Sequence, residues 1–289
     1  MTRLISALLA LALLTPRGHA QSVKISVFDR GQADGIVIRT PNRQWVVIDG
    51  GTNRQQAAAM RQWGVTTVAL AIISHRHFDH NGGMDNILDE FTVEQFIGRR
   101  DDCLGVKQDN IIDSLLTFHG IPSEAPNGQT RTIDGVHFTI LPTDPTDNTC
   151  PGDENNNSVI VRMDFGNFSM LFTGDAEDEQ RDWLVANHGG LLDVDVLKAA
   201  HHGADNGVSA AWLDSISPER VVISAGVNAN HRHPRPNAVT AYETAVGRDR
   251  VYCTNRHMTV TVYGSADGGI RIFRQNRISK SCAFDGTHY

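Results

Sequence analysis

Residues 68–83 read VALAIISHRHFDHNGG, an apolar run that leads directly into a dense group of histidines. Three imidazoles and one carboxylate fall within six positions, at His75, His77, Asp79 and His80. Imidazole and carboxylate are common ligands of zinc and similar divalent ions. A loop that follows a buried strand can point several side chains into one space. The stretch therefore predicts a metal site, although a solvated polar loop is the simpler alternative.

The rest of the chain alternates between strand-like and helical segments. Ten runs are rich in Val and Ile or end at Gly, Asn or Asp, as strands do: 23–28, 35–39, 45–48, 68–73, 136–141, 159–163, 169–172, 194–197, 220–223 and 259–263. Helices are predicted at 54–63, 110–119, 177–187, 208–215 and 237–246. The polar stretch 144–157 is predicted to be a loop. This order favours an α/β architecture with two sheets and helices outside them.

The HxHxDH pattern after a strand resembles the signature of metallo-β-lactamase-fold hydrolases. The resemblance implies a four-layer αββα sandwich, of the α/β (α+β) class, with a two-metal site along one edge. It implies that His75 and His77 serve the first metal, and that Asp79 and His80 serve the second. Zinc is the favoured metal, and manganese or iron would suit the same ligands.

Other motifs extend the resemblance. Gly174-Asp175 follows an apolar run and is similar to the bridging aspartate of that family, which offsets the charge of both cations. The pair His201-His202 should supply the last ligand of the second metal. We favour His202 as that ligand, with His201 facing the substrate or acting as an acid. Asp49 resembles a residue that orients neighbouring loops through hydrogen bonds.

A narrower resemblance covers most of residues 23–273. The segments 28–34, 155–158, 201–203 and 233–234 occur in the order found in the exported hydrolase domain of ComEC-type competence proteins and its stand-alone relatives. In that group an Asn-rich turn replaces one histidine of the first metal, and here Asn157 occupies that place. The resemblance implies that the first metal has fewer protein ligands and binds more weakly.

The N-terminus has the three parts of a secretory signal peptide. Arg3 precedes the apolar run 4–14, and small residues lead up to Ala20. A membrane anchor is the alternative, but a spanning helix needs about 20 apolar residues. We therefore expect cleavage after Ala20, a single hydrolase domain at 21–289, a secreted or periplasmic location and no stable membrane association afterwards.

The charge balance is acidic, with a net charge of −7 over 289 residues. This disfavours a broadly cationic surface for non-specific nucleic-acid binding, but it allows a nucleic acid held by metals. Residues 231–235, HRHPR, form a small basic cluster. His233 in this cluster is expected to contact an anion or protonate a leaving group, with Arg232 or Arg235 pairing with phosphate. A solvated loop is the alternative.

These features predict an exported binuclear metallohydrolase in which a metal-activated hydroxide attacks the substrate. Asp79, His201 and His233 are the candidate catalytic residues. The favoured substrate is a small-molecule or nucleic-acid phosphoester or phosphodiester. A β-lactamase or lactonase is the enzymatic alternative, and a non-catalytic, metal-stabilised binding protein is the alternative from another class.

The four cysteines predict two disulfides in the mature protein, because an even number in an oxidising compartment is typical of a disulfide framework. Of the three pairings, we favour Cys103 with Cys150 and Cys253 with Cys282, which are nearest in sequence. Buried free thiols are the alternative. Mass measurement with alkylation before and after reduction should show no free thiol first and four afterwards. Four thiols that alkylate without reduction would contradict the prediction.

Overall fold

A computed structural model of the chain describes residues 21–98, 107–144, 154–227, 230–276 and 281–286. The expected signal peptide at 1–20 lies outside the described residues. So do both cysteines of the predicted Cys103–Cys150 disulfide and most of the predicted loop 144–157. No helix in the described part of the chain is long and apolar enough to cross a membrane.

The first of two large sheets has the strand order β17-β16-β1-β2-β3-β5-β7-β8 among the described residues. Its strands are β1 (Ser22–Val27), β2 (Gly35–Arg39), β3 (Trp45–Gly50), β5 (Leu70–Ile72), β7 (Phe96–Ile97), β8 (Ser123–Glu124), β16 (Val260–Ser265) and β17 (Ile270–Arg274). Neighbours from β17 to β3 are antiparallel, and those from β3 to β8 are parallel.

The second large sheet has the order β15-β14-β13-β12-β11-β10-β9. Its strands are β9 (Thr130–Ile133), β10 (Val136–Ile140), β11 (Val161–Phe165), β12 (Phe168–Phe172), β13 (Val196–Lys198), β14 (Arg220–Ile223) and β15 (Val251–Cys253). The strands from β12 to β15 are parallel. Two short strands, β4 (Thr67–Val68) and β6 (Thr92–Val93), pair separately.

Eight α-helices lie within the described residues. They are α1 (Gln55–Gln62), α2 (Phe78–Asn81), α3 (Met84–Glu90), α4 (Lys107–Phe118), α5 (Asp178–His188), α6 (Ala210–Ile216), α7 (Pro236–Val246) and α8 (Thr254–His257). Single 3₁₀ turns occur at Gly189–Leu191, Ala200–Gly203, Asp205–Gly207 and Arg248–Arg250.

Three apolar clusters divide the protein into four layers. The central cluster joins the inner faces of the two sheets, with Ile25 and Ile38 from the first packed against Phe138 and Phe172 from the second. Burying one such side chain contributes about 1.5–3 kcal/mol. A second cluster places α1, α3 and α4 outside the first sheet, and a third places α5, α6 and α7 outside the second. The predicted αββα sandwich is confirmed.

The parallel strands decide where the candidate site lies. β3 and β5 are parallel in the first sheet, and β12, β13 and β14 are parallel in the second. The carboxyl ends of parallel strands meet at one edge of a sheet. The segments that follow these strands therefore gather at a common edge, and they contain most of the residues predicted to bind metal.

Several predicted boundaries differ from the structure. The predicted strand 68–73 is interrupted at Ala69, because β4 pairs with β6 whereas β5 pairs with β3. The strand predicted from 159 begins at Val161, since the Val159 N–H donates to the Ser74 carbonyl at 2.6 Å. Strands β6, β7 and β8 have only two residues each, too few for a sequence pattern. The predicted Cys253–Cys282 disulfide is confirmed, with the two Cα atoms 5.8 Å apart.

We predict that Gly264→Ala destabilises the fold by about 1–3 kcal/mol. A Cβ at Gly264 would lie 2.1 Å from the ring of Phe168, a buried residue of the opposite sheet, so the core would have to open. Urea unfolding of both proteins would measure the change. Gly190→Ala is the matched control, because a Cβ there meets nothing within 4 Å. Equal unfolding free energies for the two variants would contradict this account of the core.

Candidate metal centre

The histidine-rich motif combines an extended segment with a helical turn. His77 is extended, at φ −63° and ψ 145°, and it precedes α2, which contains Asp79 and His80. The prediction of a loop is therefore wrong for the second half of the motif. The helical turn carries Asp79 and His80 back toward the sheet edge, and the His80 and Asn81 N–H groups donate to the His77 carbonyl.

The predicted ligands of the second metal lie together. Asp79, His80, Asp175 and His202 each offer one ligand atom, and these four atoms lie within 4.8 Å of one another. The His202 Nε2 atom is 3.4 Å from both Asp79 Oδ2 and Asp175 Oδ2. His80 Nε2 is 3.3 Å from Asp175 Oδ2. This geometry is of the kind that holds a divalent ion.

The predicted ligands of the first metal adjoin this group. His75 Nε2 lies 3.0 Å from His77 Nδ1 and 4.0 Å from Asp175 Oδ2. Asp175 thus lies between the two sets, as expected of a bridging carboxylate. Its N–H donates to Ser158 Oγ at 3.0 Å. Gly174 is required before it, because φ is +52° and a Cβ would lie 2.7 Å from Ser158 Oγ.

Within the described part of the chain, three buried polar atoms of the centre have no partner with hydrogen-bond geometry: Asp175 Oδ1, His80 Nε2 and His202 Nε2. A buried polar atom left unpaired costs about 1–3 kcal/mol. All three belong to residues of the four-ligand group, and all three can coordinate a cation. The donor set therefore fits divalent metal ions.

The protonation of the centre leads to the same conclusion. Burial alone would lower the pKa of His80, but the carboxylates of Asp175 and Asp49 outweigh burial and raise it well above its usual value. The pKa of His202 is also raised against burial, chiefly by Asp175. Burial would raise the pKa of Asp175, yet His202 and His80 hold it well below its usual range. The carboxylates thus stabilise positive charge at the centre, and divalent metal ions can supply that charge in place of protons.

Asp49 makes hydrogen bonds that orient the motif. Its Oδ1 accepts the Ser74 N–H at 2.7 Å, and its Oδ2 accepts the Ser74 hydroxyl at 2.7 Å and His80 Nδ1–H at 2.8 Å. Burial raises the pKa of Asp49, and the neighbouring His80 opposes that rise. Because His80 Nδ1 donates to Asp49, its Nε2 is left to face Asp175.

The two adjacent histidines diverge because both have left-handed backbone conformations, with φ 46° for His201 and 53° for His202. His202 Nδ1–H donates to the Ser224 carbonyl at 2.9 Å, so its Nε2 faces the four-ligand group. His201 Nδ1 instead lies 2.9 Å from Glu177 Oε1. These contacts support His202 as the metal ligand and place His201 beside the centre, with Nε2 4.0 Å from Asp175 Oδ2.

The Asn-rich turn has a supporting role that the sequence did not reveal. Asn155 Nδ2 donates to Glu177 Oε1 at 2.6 Å, so the turn fixes the carboxylate that faces His201. Asn156 Oδ1 accepts the Glu177 N–H at 3.1 Å at the start of α5. Asn157 is buried in the same turn. Weak binding of the first metal beside Asn157 remains a prediction.

A buried ion pair lies beneath the centre. Lys198 Nζ contacts Asp34 Oδ2, and both side chains are almost completely buried. Asp34 also accepts the Ser224 hydroxyl and lies 3.5 Å from His202 Nδ1. Lys198 lies three residues before His201 in the sequence, and the structure pairs it with this buried acid. Asp34 is the last residue of the segment 28–34, which is one of the segments that carry the narrower family resemblance.

His233 lies beside His201, with the ring centroids 5.1 Å apart in an edge-to-face arrangement. Its Nδ1 accepts a hydrogen bond from Gln32 Nε2 at 2.9 Å. Burial, with neighbouring His201 and His202, lowers the pKa of His233 to about 3. A neutral ring that accepts at Nδ1 carries its proton on Nε2. No pattern in the sequence predicted this contact of Gln32 with His233.

We predict that Lys198→Met lowers the free energy of unfolding by about 3–5 kcal/mol, because it removes the lysine that pairs with the buried Asp34 carboxylate. Adding Asp34→Asn should recover part of that loss, since it removes the uncompensated charge. Denaturant unfolding of the metal-free single and double variants would measure both effects. A double variant less stable than Lys198→Met alone would show that the pair does not balance charge.

Comparison with known proteins gives the family. A model of the metallo-beta-lactamase superfamily matches residues 28–227. Competence protein ComA of Neisseria gonorrhoeae is 27% identical over 213 residues, which cover 73% of this chain and 28% of ComA. ComE operon protein 3 of Bacillus subtilis is 24% identical over 231 residues, which cover 73% of this chain and 29% of that protein. The chain thus spans less than a third of the length of these relatives.

A solved structure shows the same fold. CmlA, a diiron beta-hydroxylase from Streptomyces venezuelae, superimposes with a TM-score of 0.57 at 14% identity, covering 89% of this chain and 55% of CmlA. The family match includes the histidine motif, Asp175 and His202. From this match, which covers more than half of the chain, we conclude that the chain belongs to the metallo-β-lactamase superfamily.

Proposed function

We propose that this protein is an exported, metal-dependent hydrolase, a phosphodiesterase that acts on small-molecule or nucleic-acid phosphoesters. The observation that carries the proposal is a polar cavity of about 340 Å³ beside the metal centre. His201, His231, His233 and Arg235 contribute to its lining, and Ala204 is the one apolar residue among the described lining residues. Imidazole and guanidinium donors suit the oxygens of a phosphate group.

In this proposal His75, His77 and Asp175 hold the first metal, and Asp79, His80, Asp175 and His202 hold the second. Two ions bound there would lower the pKa of water and offset the negative charge that develops on the phosphate oxygens. Asp79 is counted as catalytic because it faces the second site from the rim, with its side chain 31% exposed. We favour zinc, with manganese and iron as alternatives.

His201 would act from the edge of the cavity. Its Nδ1 faces two acceptors, Glu177 Oε1 at 2.9 Å and Asn206 Oδ1 at 3.2 Å, so the ring proton resides on Nδ1. Burial lowers the pKa of His201, which favours the neutral ring. The unprotonated Nε2 can then accept a hydrogen bond or a proton from the substrate side, so we now favour a base over the acid that the sequence analysis considered for His201.

His233 would have the complementary role. Because its Nδ1 accepts from Gln32, its Nε2–H is a donor on a residue that lines the cavity. Such a donor can hydrogen-bond to a phosphate oxygen or to the leaving oxygen. The two rings thus present one acceptor and one donor to the same space. His201 can take up a proton, and His233 can stabilise developing negative charge through a hydrogen bond without giving up its own proton.

Export is part of the proposal. The Cys253–Cys282 disulfide supports it, because disulfides persist in oxidising compartments. A secreted or periplasmic protein without lasting membrane attachment is therefore the form that should be tested.

The mature chain, loaded with zinc or manganese, should hydrolyse a chromogenic phosphodiester or a labelled oligonucleotide faster than a β-lactam or a lactone. His80→Ala should abolish turnover through loss of metal, and His233→Ala should lower kcat by roughly 10²–10³-fold with metal retained, because it removes a hydrogen-bond donor. Initial rates and elemental analysis on the same preparations would measure both effects.

His137→Ala is the matched control, because His137 is an exposed imidazole on β10 outside the centre. It should leave both turnover and metal content unchanged. Faster hydrolysis of a β-lactam or a lactone than of every phosphodiester would replace the proposed function with the enzymatic alternative. A metal-loaded protein that hydrolyses none of these substrates would favour a binding role.

A further inference from the structure

We propose that the C-terminal strap, defined as residues 281–286, positions His233 and thereby makes the turnover of the enzyme depend on the Cys253–Cys282 disulfide. The inference rests on the proposed function, since it takes His233 to contact the substrate. The strap contributes no atom to the cavity in the described structure. It acts through the His233 loop, defined as residues 230–235.

The strap is fastened at several points to the segment around α8. Cys282 is bonded to Cys253, and Asn255 Nδ2 donates to the Cys282 carbonyl at 3.2 Å. The Arg256 side chain is fully buried and contacts Asp285 Oδ1 at 2.5 Å. Its guanidinium also donates to the Ser281 and Ala283 carbonyls, both at 3.3 Å. These contacts fix the strap both before and after Phe284.

The strap in turn holds the His233 loop. The Phe284 N–H donates to the Pro234 carbonyl at 2.8 Å, directly after His233 in the chain. On the other side, the Arg235 N–H donates to the Gly203 carbonyl at 2.8 Å. The peptide that follows His233 is therefore held between the strap and the turn that carries His201 and His202.

The contact with that turn is close. A Cβ at Gly203 would lie 2.9 Å from Pro234 Cβ, so Pro234 packs against the bare backbone that follows His202. An outward shift of Pro234 would open this contact and move His233 relative to the metal centre. Displacement of a positioning group by about 1 Å can cost as much as 10²-fold in rate. The strap thus holds Pro234 against Gly203, and this contact fixes the position of His233 beside the cavity.

The Cys253–Cys282 disulfide makes the position of the strap depend on whether the protein is in an oxidising or a reducing compartment. Cys253 ends β15, and Cys282 reaches it from a segment 29 residues further along the chain. In a reducing compartment the two thiols stay unbonded. The strap would then lose its covalent link and keep its hydrogen bonds, its apolar packing and the Arg256–Asp285 ion pair. We infer that oxidation after export completes the placement of His233.

The test compares strap variants of the metal-loaded mature chain. Cys253→Ser/Cys282→Ser removes the disulfide, and Phe284→Pro removes the N–H that donates to Pro234 while keeping the disulfide. Each should lower kcat on a phosphodiester about tenfold, with metal content unchanged. In a His233→Ala background, the same changes should alter kcat by less than about twofold, because the group they position is gone.

Hydrogen exchange gives a second readout that does not depend on activity. Amides of the His233 loop should exchange faster in both strap variants, while those of 74–81 should stay unchanged. Val246→Ala is the matched control for stability, because Val246 belongs to the same apolar cluster as Cys282 and lies outside the strap and the loop. It should lower the melting temperature without changing kcat or exchange in the loop.

Two outcomes would overturn the proposal. Strap variants that melt earlier but keep wild-type kcat and wild-type exchange in the His233 loop would show that the strap only stabilises the fold. Equal losses of kcat with and without His233 would show that the strap acts elsewhere. If the wild-type chain hydrolyses none of the substrates, the proposed function fails. The exchange comparison would then still decide whether the strap positions the loop.

Discussion

Three carboxylates, those of Asp34, Asp49 and Asp175, are buried at the shared edge of the two sheets, each no more than 2% exposed. An uncompensated buried charge costs several kcal/mol, so the surrounding structure must balance it. Asp34 is balanced by Lys198, and Asp49 receives hydrogen bonds from its neighbours in the histidine motif. Asp175 faces imidazoles and keeps an unpaired oxygen, which leaves a place for metal cations. The three carboxylates are thus balanced in three different ways: by a lysine, by hydrogen bonds, and by imidazoles that leave room for metal ions.

The backbone accepts local strain in order to gather these groups. Asp49, His201 and His202 all have positive φ, and left-handed conformations of non-glycine residues cost about 1–3 kcal/mol each. The gain is that consecutive side chains point in different directions. His202 turns toward the metal ligands and His201 toward Glu177, although they are neighbours in the chain. Packing of two apolar sheets and their flanking helices provides the stability that tolerates this strain.

The sequence pattern predicted two sheets with helices outside them. The four-layer order and the proposed ligands were implied by the family resemblance of the HxHxDH motif, whose signal is local. An apolar strand followed by closely spaced histidines needs no long-range information to be interpreted. The supporting contacts were harder to predict, since they join distant parts of the chain. Gln32 meets His233 across 201 positions, and Asn155 meets Glu177 across 22. The helical turn at 78–81 was missed because four residues carry too little periodicity, and the break at Ala69 arises from pairing with two different sheets.

The outermost strand of the first sheet, β17, has a consequence for self-association. It reads Ile-Arg-Ile-Phe-Arg, and among the described residues it pairs on one side alone, with β16. Arg274 faces Val260 in the register, on the side of the sheet that packs against the core, and its guanidinium lies 5.7 Å from the Tyr252 ring. A strand from another molecule added to this edge would have to cover that charge, which opposes edge-to-edge aggregation.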